Sequence, residues 1–303
     1  MSRNRIIALV VVIVLLAIGI SLPFKRPAIS VAAEPIPSLE HPWTFFGLFP
    51  ITNALLTAWL TMLFLIVFAV LTTRGMQLVP GGLQNAVEII IEAWYDLTED
   101  VAGARLAKVF FPLVVTIFFY VLVSNWLDLL TPILAGVGFK EVHHGEEVII
   151  PLLRSPSTDL NFPIALALVS VTLTQIWGVR ELGILHYGGK FVNLSGFRRF
   201  FELLSGRGEG SAGGALVQGI LDFAIGIIEL FSEVAKLISF SFRLFGNIFA
   251  GEVLLLIMPS FLSTLLPLVF LGLEVFVGLI QAFIFAVLTL AFMSNATISH
   301  GEH

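Results

Sequence analysis

Long apolar stretches separated by short polar segments make up most of the chain. A helix that rises about 1.5 Å per residue needs about 20 apolar residues to cross a hydrocarbon core about 30 Å thick. The pattern predicts membrane-spanning helices at residues 51–71, 110–134, 163–179, 216–258 and 263–293. The predicted fold class is therefore all-α: a polytopic membrane protein with upright spans and two long, strongly tilted C-terminal helices.

The first 42 residues are predicted to be an N-terminal hydrophobic segment followed by an external linker, and residues 43–303 a single membrane domain. The apolar stretch from Ile6 to Leu22 after a basic start is typical of a signal peptide and equally of an additional span. No convincing small-residue cleavage site precedes Lys25, although one candidate lies just beyond it. The sequence favours a retained span.

Residues 83–106 follow a different pattern from the spans. Glu88, Glu92, Asp96 and Glu99 recur at helical spacing, with apolar residues on the other faces. This is typical of an amphipathic helix at the membrane interface or against the bundle.

Two polar segments, 135–162 and 180–214, are predicted to be an outer loop and a cytoplasmic loop. With a cytoplasmic N-terminus, only Lys25, Arg26 and the two basic residues of the first loop lie outside, in agreement with the positive-inside rule. The adjacent histidines in that loop, His143 and His144, are interpreted as solvated residues, because two neighbouring histidines do not by themselves make a metal site.

Composition supports a membrane protein and excludes several chemistries. The chain is 57% hydrophobic and 12% charged, which is not the balance of a soluble domain. It contains no cysteine, which rules out disulfides, thiolate metal sites and thiol redox chemistry.

One face of the predicted helix 216–258 carries a polar stripe within an arc of roughly 80°, at about 100° per residue. The stripe consists of Asp222, Glu229, Glu233, Lys236, Arg243 and Asn247. Glu252 lies on the order of 140° round from Asn247. The last helix carries Glu274, Gly278 and Gln281 on one face. An arginine in membrane-embedded sequence costs several kcal/mol and is a functional candidate.

These polar groups have two interpretations. They could stabilise the bundle, with Arg243 in a static ion pair with Glu252 or Glu274, and with Asn247 and Gln281 bridging helices. The whole set is more than packing requires, however, and chains of intramembrane carboxylates are typical of proton relays. At the mouth of the span 163–179, two further polar residues, Asp159 and Asn161, are either an N-cap or part of such a path.

The motifs of the last third of the chain resemble a known family. Arg243-Leu244-Phe245-Gly246-Asn247, then Ala250-Gly251-Glu252, and later Leu279-Ile280-Gln281-Ala282-Phe283-Ile284-Phe285, are similar to subunit a of the F-type ATP synthase membrane sector. Ser124-Asn125-Trp126-Leu127 and the segment from Pro156 to Asn161 also match. The resemblance extends from about Trp43 to the C-terminus.

The resemblance implies a stationary subunit beside a rotating ring of c subunits, with one aqueous half-channel to each side of the membrane. Arg243 would face the ring's carboxylates, Asn247 would lie one turn later, and Asp159 and Asn161 would lie near the outer entrance. The other proton-path positions would be Glu252, Glu274 and Gln281 on the outer side and Glu229 on the cytoplasmic path, with Glu233 and Lys236 on the same helix as Glu229.

Some members of the family pair an acid with a histidine at the positions of Glu252 and Glu274, whereas this chain has an acid at both. Two nearby carboxylates would not both stay ionised, which suits a proton relay and leaves sodium coordination open.

The implied partners are the c-subunit ring, b-type peripheral stalk subunits, the remaining ATP synthase subunits and the lipid of a bacterial-type plasma membrane, with a cytoplasmic C-terminus. No cofactor, metal or nucleic acid is expected. Nothing resembles a phosphate-binding loop, so ATP chemistry belongs to other subunits. The alternatives are a self-contained secondary transporter or ion channel, for which no duplicated half is found, and a structural scaffold, which leaves Arg243 unexplained.

Overall fold

The computed structural model describes residues 28–29, 33–36, 42–45, 47, 49–77, 81–129, 138–143, 146–191, 195–205, 211–257 and 265–298. The apolar N-terminal stretch from Ile6 to Leu22, the second residue of the histidine pair, His144, and the polar tail after residue 298 lie outside the described residues.

Helices account for nearly all of the described chain. They are α1 (Asn53–Thr73), α2 (Gly82–Asp128), α3 (Asn161–Leu182), α4 (Ile184–Phe191), α5 (Ser195–Leu204), α6 (Ala212–Ile257) and α7 (Leu265–Thr297). A 3-10 turn covers Pro156–Thr158. The short strands are β1 (Ala28–Ile29), β2 (Thr44–Phe45), β3 (Phe49–Pro50), β4 (Gly138–His143) and β5 (Glu146–Pro151).

Five of these helices, α1, α2, α3, α6 and α7, are long and apolar enough to cross a membrane. The prediction of an all-α polytopic membrane protein is therefore confirmed. Helix α1 also begins at a clear sequence signal, because the Thr52 hydroxyl accepts a hydrogen bond of 3.2 Å from the amide of Leu55.

Helix α2 combines the predicted amphipathic helix with the span that follows it. The two parts meet at Gly103, where φ is 77° and ψ is 157°. Glycine takes this backbone conformation without the steric cost that a side chain would add. The break thus lies at Gly103 and not after residue 106 as predicted. The apolar part ends at Asp128, short of the predicted residue 134.

Helix α6 is continuous from Ala212 to Ile257, so the predicted stretch 216–258 starts earlier and does not break. Its 46 residues correspond to about 69 Å, more than twice the thickness of a hydrocarbon core. Helix α7 runs past the predicted residue 293 to Thr297.

The segment 135–162, predicted to be an outer loop, contains a pair of strands. Strands β4 and β5 pair antiparallel in this segment, with Gly138 opposite Pro151 and His143 opposite Glu146. Strand β5 also pairs in parallel with β1. Its run of Val148, Ile149 and Ile150 consists of β-branched residues, which favour strands.

The segment 180–214, predicted to be a cytoplasmic loop, contains two short helices that are not candidate spans. Helix α3 continues to Leu182, and α4 and α5 follow it. A left-handed Gly183, with φ of 81°, separates α3 from α4. Tyr187 of α4 packs so closely on Gly178 of α3 that a β-carbon at Gly178 would lie 2.3 Å from the tyrosine ring.

The described chain forms two compact units. The first consists of Met1–Ala93, Val115–Pro163 and Arg243–Ala286. Its interior contains many polar side chains beside the apolar ones. The fully or nearly fully buried polar residues of this unit are Asn53, Thr57, Thr61, Ser124, Asn125, Arg154, Ser155, Ser157, Thr158, Glu252, Glu274 and Gln281.

The second unit consists of Trp94–Val114, Ile164–Phe242 and Val287–His303. Aromatic side chains stabilise its helix contacts: Phe110 meets Trp177 edge-on, with ring centroids 6.1 Å apart. Hydroxyls bridge other helices, with the oxygens of Ser170 and Thr289 2.9 Å apart.

Candidate functional site

A buried ion pair lies at the centre of the polar interior of the first unit. Nη2 of Arg154 lies 2.9 Å from Oε2 of Glu252, and the two side chains are 0% and 5% exposed. Arg154 comes from the segment between β5 and the 3-10 turn, and Glu252 from α6. Arg154 lies in the segment predicted to be an outer loop, but its side chain is buried and not exposed to solvent as a loop residue would be.

The local sequence explains how an arginine enters the interior. Ser155 caps the 3-10 turn by accepting a hydrogen bond of 3.2 Å from the amide of Ser157, and Pro156 supplies a fixed φ at the first position of the turn. The amide of Arg154 donates to the hydroxyl of Thr57 on α1 (3.0 Å), and Nε of Arg154 donates to Thr158 (3.1 Å). The backbone and the guanidinium are thus both held in one position.

A second chain of hydrogen bonds runs from this segment to α7. The hydroxyl of Ser157 donates to the side-chain oxygen of Asn125 on α2 (3.0 Å). The amide nitrogen of Asn125 donates in turn to the carbonyl of Gly278 (3.3 Å). Gly278 allows this close approach: a β-carbon there would lie 3.2 Å from the β-carbon of Asn125, which is a tight contact.

Glu274 of α7 lies directly against the backbone of α6. A β-carbon at Gly251 would be 2.0 Å and 2.4 Å from the two carboxylate oxygens of Glu274. The glycine that precedes Glu252 therefore makes the space that the Glu274 carboxylate occupies. In the part of the chain that the structure describes, this carboxylate is buried and has no hydrogen-bond or ion-pair partner.

Arg243 and Asn247 lie on the exposed face of α6. Both side chains are exposed, whereas Leu244 and Ile248, which are next to them in sequence, are 1% and 3% exposed. Among the described residues, neither Arg243 nor Asn247 has a side-chain partner. The static ion pair of Arg243 with Glu252 or Glu274 that the sequence allowed is not formed, since Glu252 pairs with Arg154.

Asp159 and Asn161 lie at the start of α3. The Asp159 carboxylate accepts hydrogen bonds from the backbone amide of Asn161 (3.1 Å) and from its side chain (2.9 Å). Asp159 thus closes a local turn just before the first residue of α3, as aspartate side chains often do. The remaining predicted residue of the first unit, Gln281, is buried on α7.

Three predicted residues of the second unit meet on α6. Nζ of Lys236 donates to Oε1 of Glu233 (2.7 Å), one turn before it. Lys190 of α4 lies 2.7 Å from Oε1 of Glu229 and 3.9 Å from Oε1 of Glu233. Two lysines thus balance two carboxylates, and the short helix α4 supplies one of them.

A tyrosine extends this cluster. The hydroxyl of Tyr187 donates to Oε1 of Gln175 (2.6 Å), and Nε2 of Gln175 donates to Oε2 of Glu233 (2.9 Å). Burial, together with the negative charges of Glu233 and Glu229, raises the pKa of Tyr187 to about 12. Tyr187 is therefore a neutral hydrogen-bond donor at physiological pH.

Sequence reasoning identified these acids and missed their partners. The stripe on α6 follows helical spacing, which can be counted along the chain, whereas Arg154, Lys190, Gln175 and Tyr187 come from other elements. The one sequence feature that points to burial of Arg154 is its position between the apolar run 148–153 and a serine- and proline-rich turn. A single basic residue in an extended segment has no periodicity that predicts burial.

Known proteins are similar to this chain over most of its length. The family model described as ATP synthase A chain matches residues 55–294. A protein of Helicobacter hepaticus named ATP synthase subunit a is 30% identical over 267 residues, which are 87% of this chain and 99% of that protein. Proteins of the same name from Moorella thermoacetica and Nitratiruptor sp. are 29% and 28% identical, over 84% and 87% of this chain and 94% and 99% of theirs. On this match, and with five helices able to cross a membrane, the chain belongs to the ATP synthase A chain family.

Proposed function

We propose that this chain is the stator subunit of an F-type ATP synthase. In this role it forms two offset half-channels that pass protons to and from the carboxylates of a rotating c-ring, and so couples the proton gradient to ATP synthesis. The family membership supports an ATP synthase subunit, and the arrangement around Arg243 supports the role beside a ring.

The observation that carries the proposal is an exposed, unpartnered arginine on a long apolar helix. A guanidinium is always charged, so it cannot relay a proton, and in a bilayer it requires a counter-charge. Arg243 has none among the described residues of its own chain. A carboxylate on a neighbouring, moving protein fits this requirement.

The chemistry of such a carboxylate explains what Arg243 does. A ring carboxyl crosses lipid at low cost only when it is protonated. Next to Arg243 the ionised form is favoured, so the proton is released. Arg243 then keeps the two half-channels apart, because protons do not pass through it.

The remaining polar residues divide between the two half-channels. We assign Glu252, Glu274 and Gln281 to the outer half-channel, with Asp159 and Asn161 near its entrance. The acids Glu229 and Glu233 and the basic residue Lys236 are assigned to the cytoplasmic half-channel. The transmembrane potential supplies about 2.3 kcal/mol per charge per 100 mV, so several protons must pass for each ATP.

The proposed setting follows from the same role. The C-terminus lies in the cytoplasm, the membrane is a bacterial-type plasma membrane, and the partners are the c-ring, b-type peripheral stalk subunits and the other ATP synthase subunits. ATP chemistry takes place on those other subunits. The competing function is a solitary transporter or ion channel.

Purification of the chain from its membrane in mild detergent separates these two functions. Co-isolation of a small ring-forming membrane protein is expected for the stator subunit. Recovery of the chain alone, with ion transport in vesicles that contain nothing else, would support the solitary transporter.

A cross-linking experiment tests the surface itself. Because the chain has no cysteine, Asn247→Cys introduces a single thiol on the exposed face of α6, and the matched control Ile248→Cys introduces one on the buried face. With a second cysteine beside the ring carboxylate, oxidation is expected to join Asn247→Cys to the ring and to leave Ile248→Cys unjoined. Equal cross-linking of both, or of neither, would contradict the proposed ring surface.

A further inference from the structure

The two acids of the outer half-channel have different surroundings. Glu252 lies in an ion pair with Arg154, at 2.9 Å. Glu274 lies against the backbone of Gly251 and has no polar partner in the described part of the chain. Two carboxylates that look equivalent in the sequence are therefore unlike in the folded protein.

The Arg154 guanidinium is a permanent charge that is fully shielded from solvent. Removal of such a group from water costs several kcal/mol unless a counter-charge and hydrogen bonds compensate it. Glu252 provides the counter-charge, while Thr158 accepts from Nε and Thr57 fixes the backbone. Arg154 thus belongs to the interior as firmly as the carboxylate does.

We propose that Arg154 is the resident counter-ion of Glu252, which makes Glu274 the carboxyl of this pair that takes up and releases protons. This inference rests on the proposed function and names the proton-carrying group within it. A carboxylate oxygen of Glu274 forms an O–H bond with a proton from the outer side. The same bond breaks when the proton passes on to the ring carboxylate, and the Arg154–Glu252 pair keeps its charges throughout.

This assignment changes the electrostatics expected from the sequence. Two isolated carboxylates repel each other, so one of them would have to hold a proton permanently. With the charge of Glu252 balanced by Arg154, the like-charge repulsion on Glu274 is reduced. Glu274 is then free to alternate between its two forms.

Proton-driven ATP synthesis by the purified whole ATP synthase in lipid vesicles tests the inference. Arg154→Gln and Glu252→Gln are each expected to lower the rate about tenfold or more, because each leaves one buried charge without its partner. The double variant Arg154→Gln with Glu252→Gln removes both charges and is expected to recover most of this loss. A residue that acts only through packing would not be rescued by neutralisation of its partner.

Glu274→Gln is the variant with which the Arg154 and Glu252 variants are compared. It is expected to stop synthesis, and the addition of Arg154→Gln should not restore it. A double variant of Arg154 and Glu252 as slow as Glu252→Gln alone would overturn the inference, since Glu252 would then carry the proton itself. Synthesis at the unmodified rate by Glu274→Gln would overturn it equally.

Two controls distinguish these outcomes from misfolding of a variant and from an error in the proposed function. The first control is the amount of assembled complex, measured for every variant. Assembly that each single change impairs and the double change restores supports the Arg154–Glu252 pair. A double variant that does not assemble contradicts it. Arg154→Lys keeps the charge and is expected to retain more activity than Arg154→Gln. Continued synthesis by Arg243→Ala would instead reject the proposed function, whatever the Arg154 variants do.

Discussion

Gly251 offers the sharpest test of the geometry around Glu274. In Gly251→Ala the new methyl carbon would lie 2.0 Å, 2.2 Å and 2.4 Å from the three terminal atoms of the Glu274 carboxylate. Ordinary contacts begin near 3.4 Å. The carboxylate therefore has to move by more than 1 Å. Because it is the far end of a flexible side chain, it can do so at little cost in stability.

The effect on proton transfer should exceed the effect on stability. A displacement of about 1 Å in a reacting group can cost on the order of a hundredfold in rate. We expect the Gly251→Ala subunit to assemble into the complex. We expect proton-driven ATP synthesis in vesicles to fall by roughly tenfold to a hundredfold, because the displaced carboxylate is a reacting group.

The chain offers a matched control and a rescue. Gly272 lies on the same helix as Glu274, and a β-carbon there meets nothing within 4 Å, so Gly272→Ala should leave synthesis near the unmodified rate. Glu274→Asp shortens the side chain by one carbon–carbon bond, about 1.5 Å. Gly251→Ala with Glu274→Asp should therefore be faster than Gly251→Ala alone. Normal synthesis by Gly251→Ala would refute the close contact of Glu274 with α6.

Further predictions concern other residues of the two units. Arg243→Ala should abolish ATP-coupled transport and allow a passive proton leak; normal ATP-driven pumping in vesicles would contradict the role of Arg243. Glu252→Gln combined with Glu274→Gln should block the outer path, and surviving proton-driven synthesis would show that the half-channel is assigned wrongly. Tyr187→Phe should leave the pH profile of pumping unchanged across the physiological range, because a pKa of about 12 keeps Tyr187 protonated there; a shifted profile would show that Tyr187 titrates. In thermal unfolding of the complex, Lys190→Gln should lower the free energy of unfolding by less than about 1 kcal/mol, because its pair with Glu229 is partly exposed. Arg154→Gln should lower it by about 3–5 kcal/mol, because its pair is buried. Equal decreases for the two variants would contradict this difference in burial.

The sequence predicted the spans well because apolar length and helical spacing are local properties. It misplaced the break in α2, because polar residues continue past Gly103 with Arg105 and Lys108, and only the positive φ of Gly103 marks the break. Helix α6 was correctly expected to be too long for the membrane thickness, and its polar stripe follows from spacing alone.

The partners of the stripe could not be predicted in the same way. Lys190 reaches Glu229 across some 40 positions of sequence, and Arg154 reaches Glu252 across 98. Such contacts depend on where α4 and the 3-10 turn pack, which no periodicity encodes. The segment 135–162 looked like a solvated loop because its composition is polar. Inside the protein, however, Arg154 and Thr158 bond within the segment, while Ser157 bonds to Asn125 of α2 and Arg154 to Glu252 of α6.

The pairing of β1 with β5 limits the number of times that the chain can cross the membrane between these two strands. Ala28 pairs with Val148 and Ile29 with Ile149, so these strands share one side of the membrane. An even number of crossings is then expected between them, and the candidates among the described residues are α1 and α2. We therefore expect helix α2 to cross once, although it has 47 residues. Removal of the first 24 residues would leave this tie intact, because β1 lies beyond them.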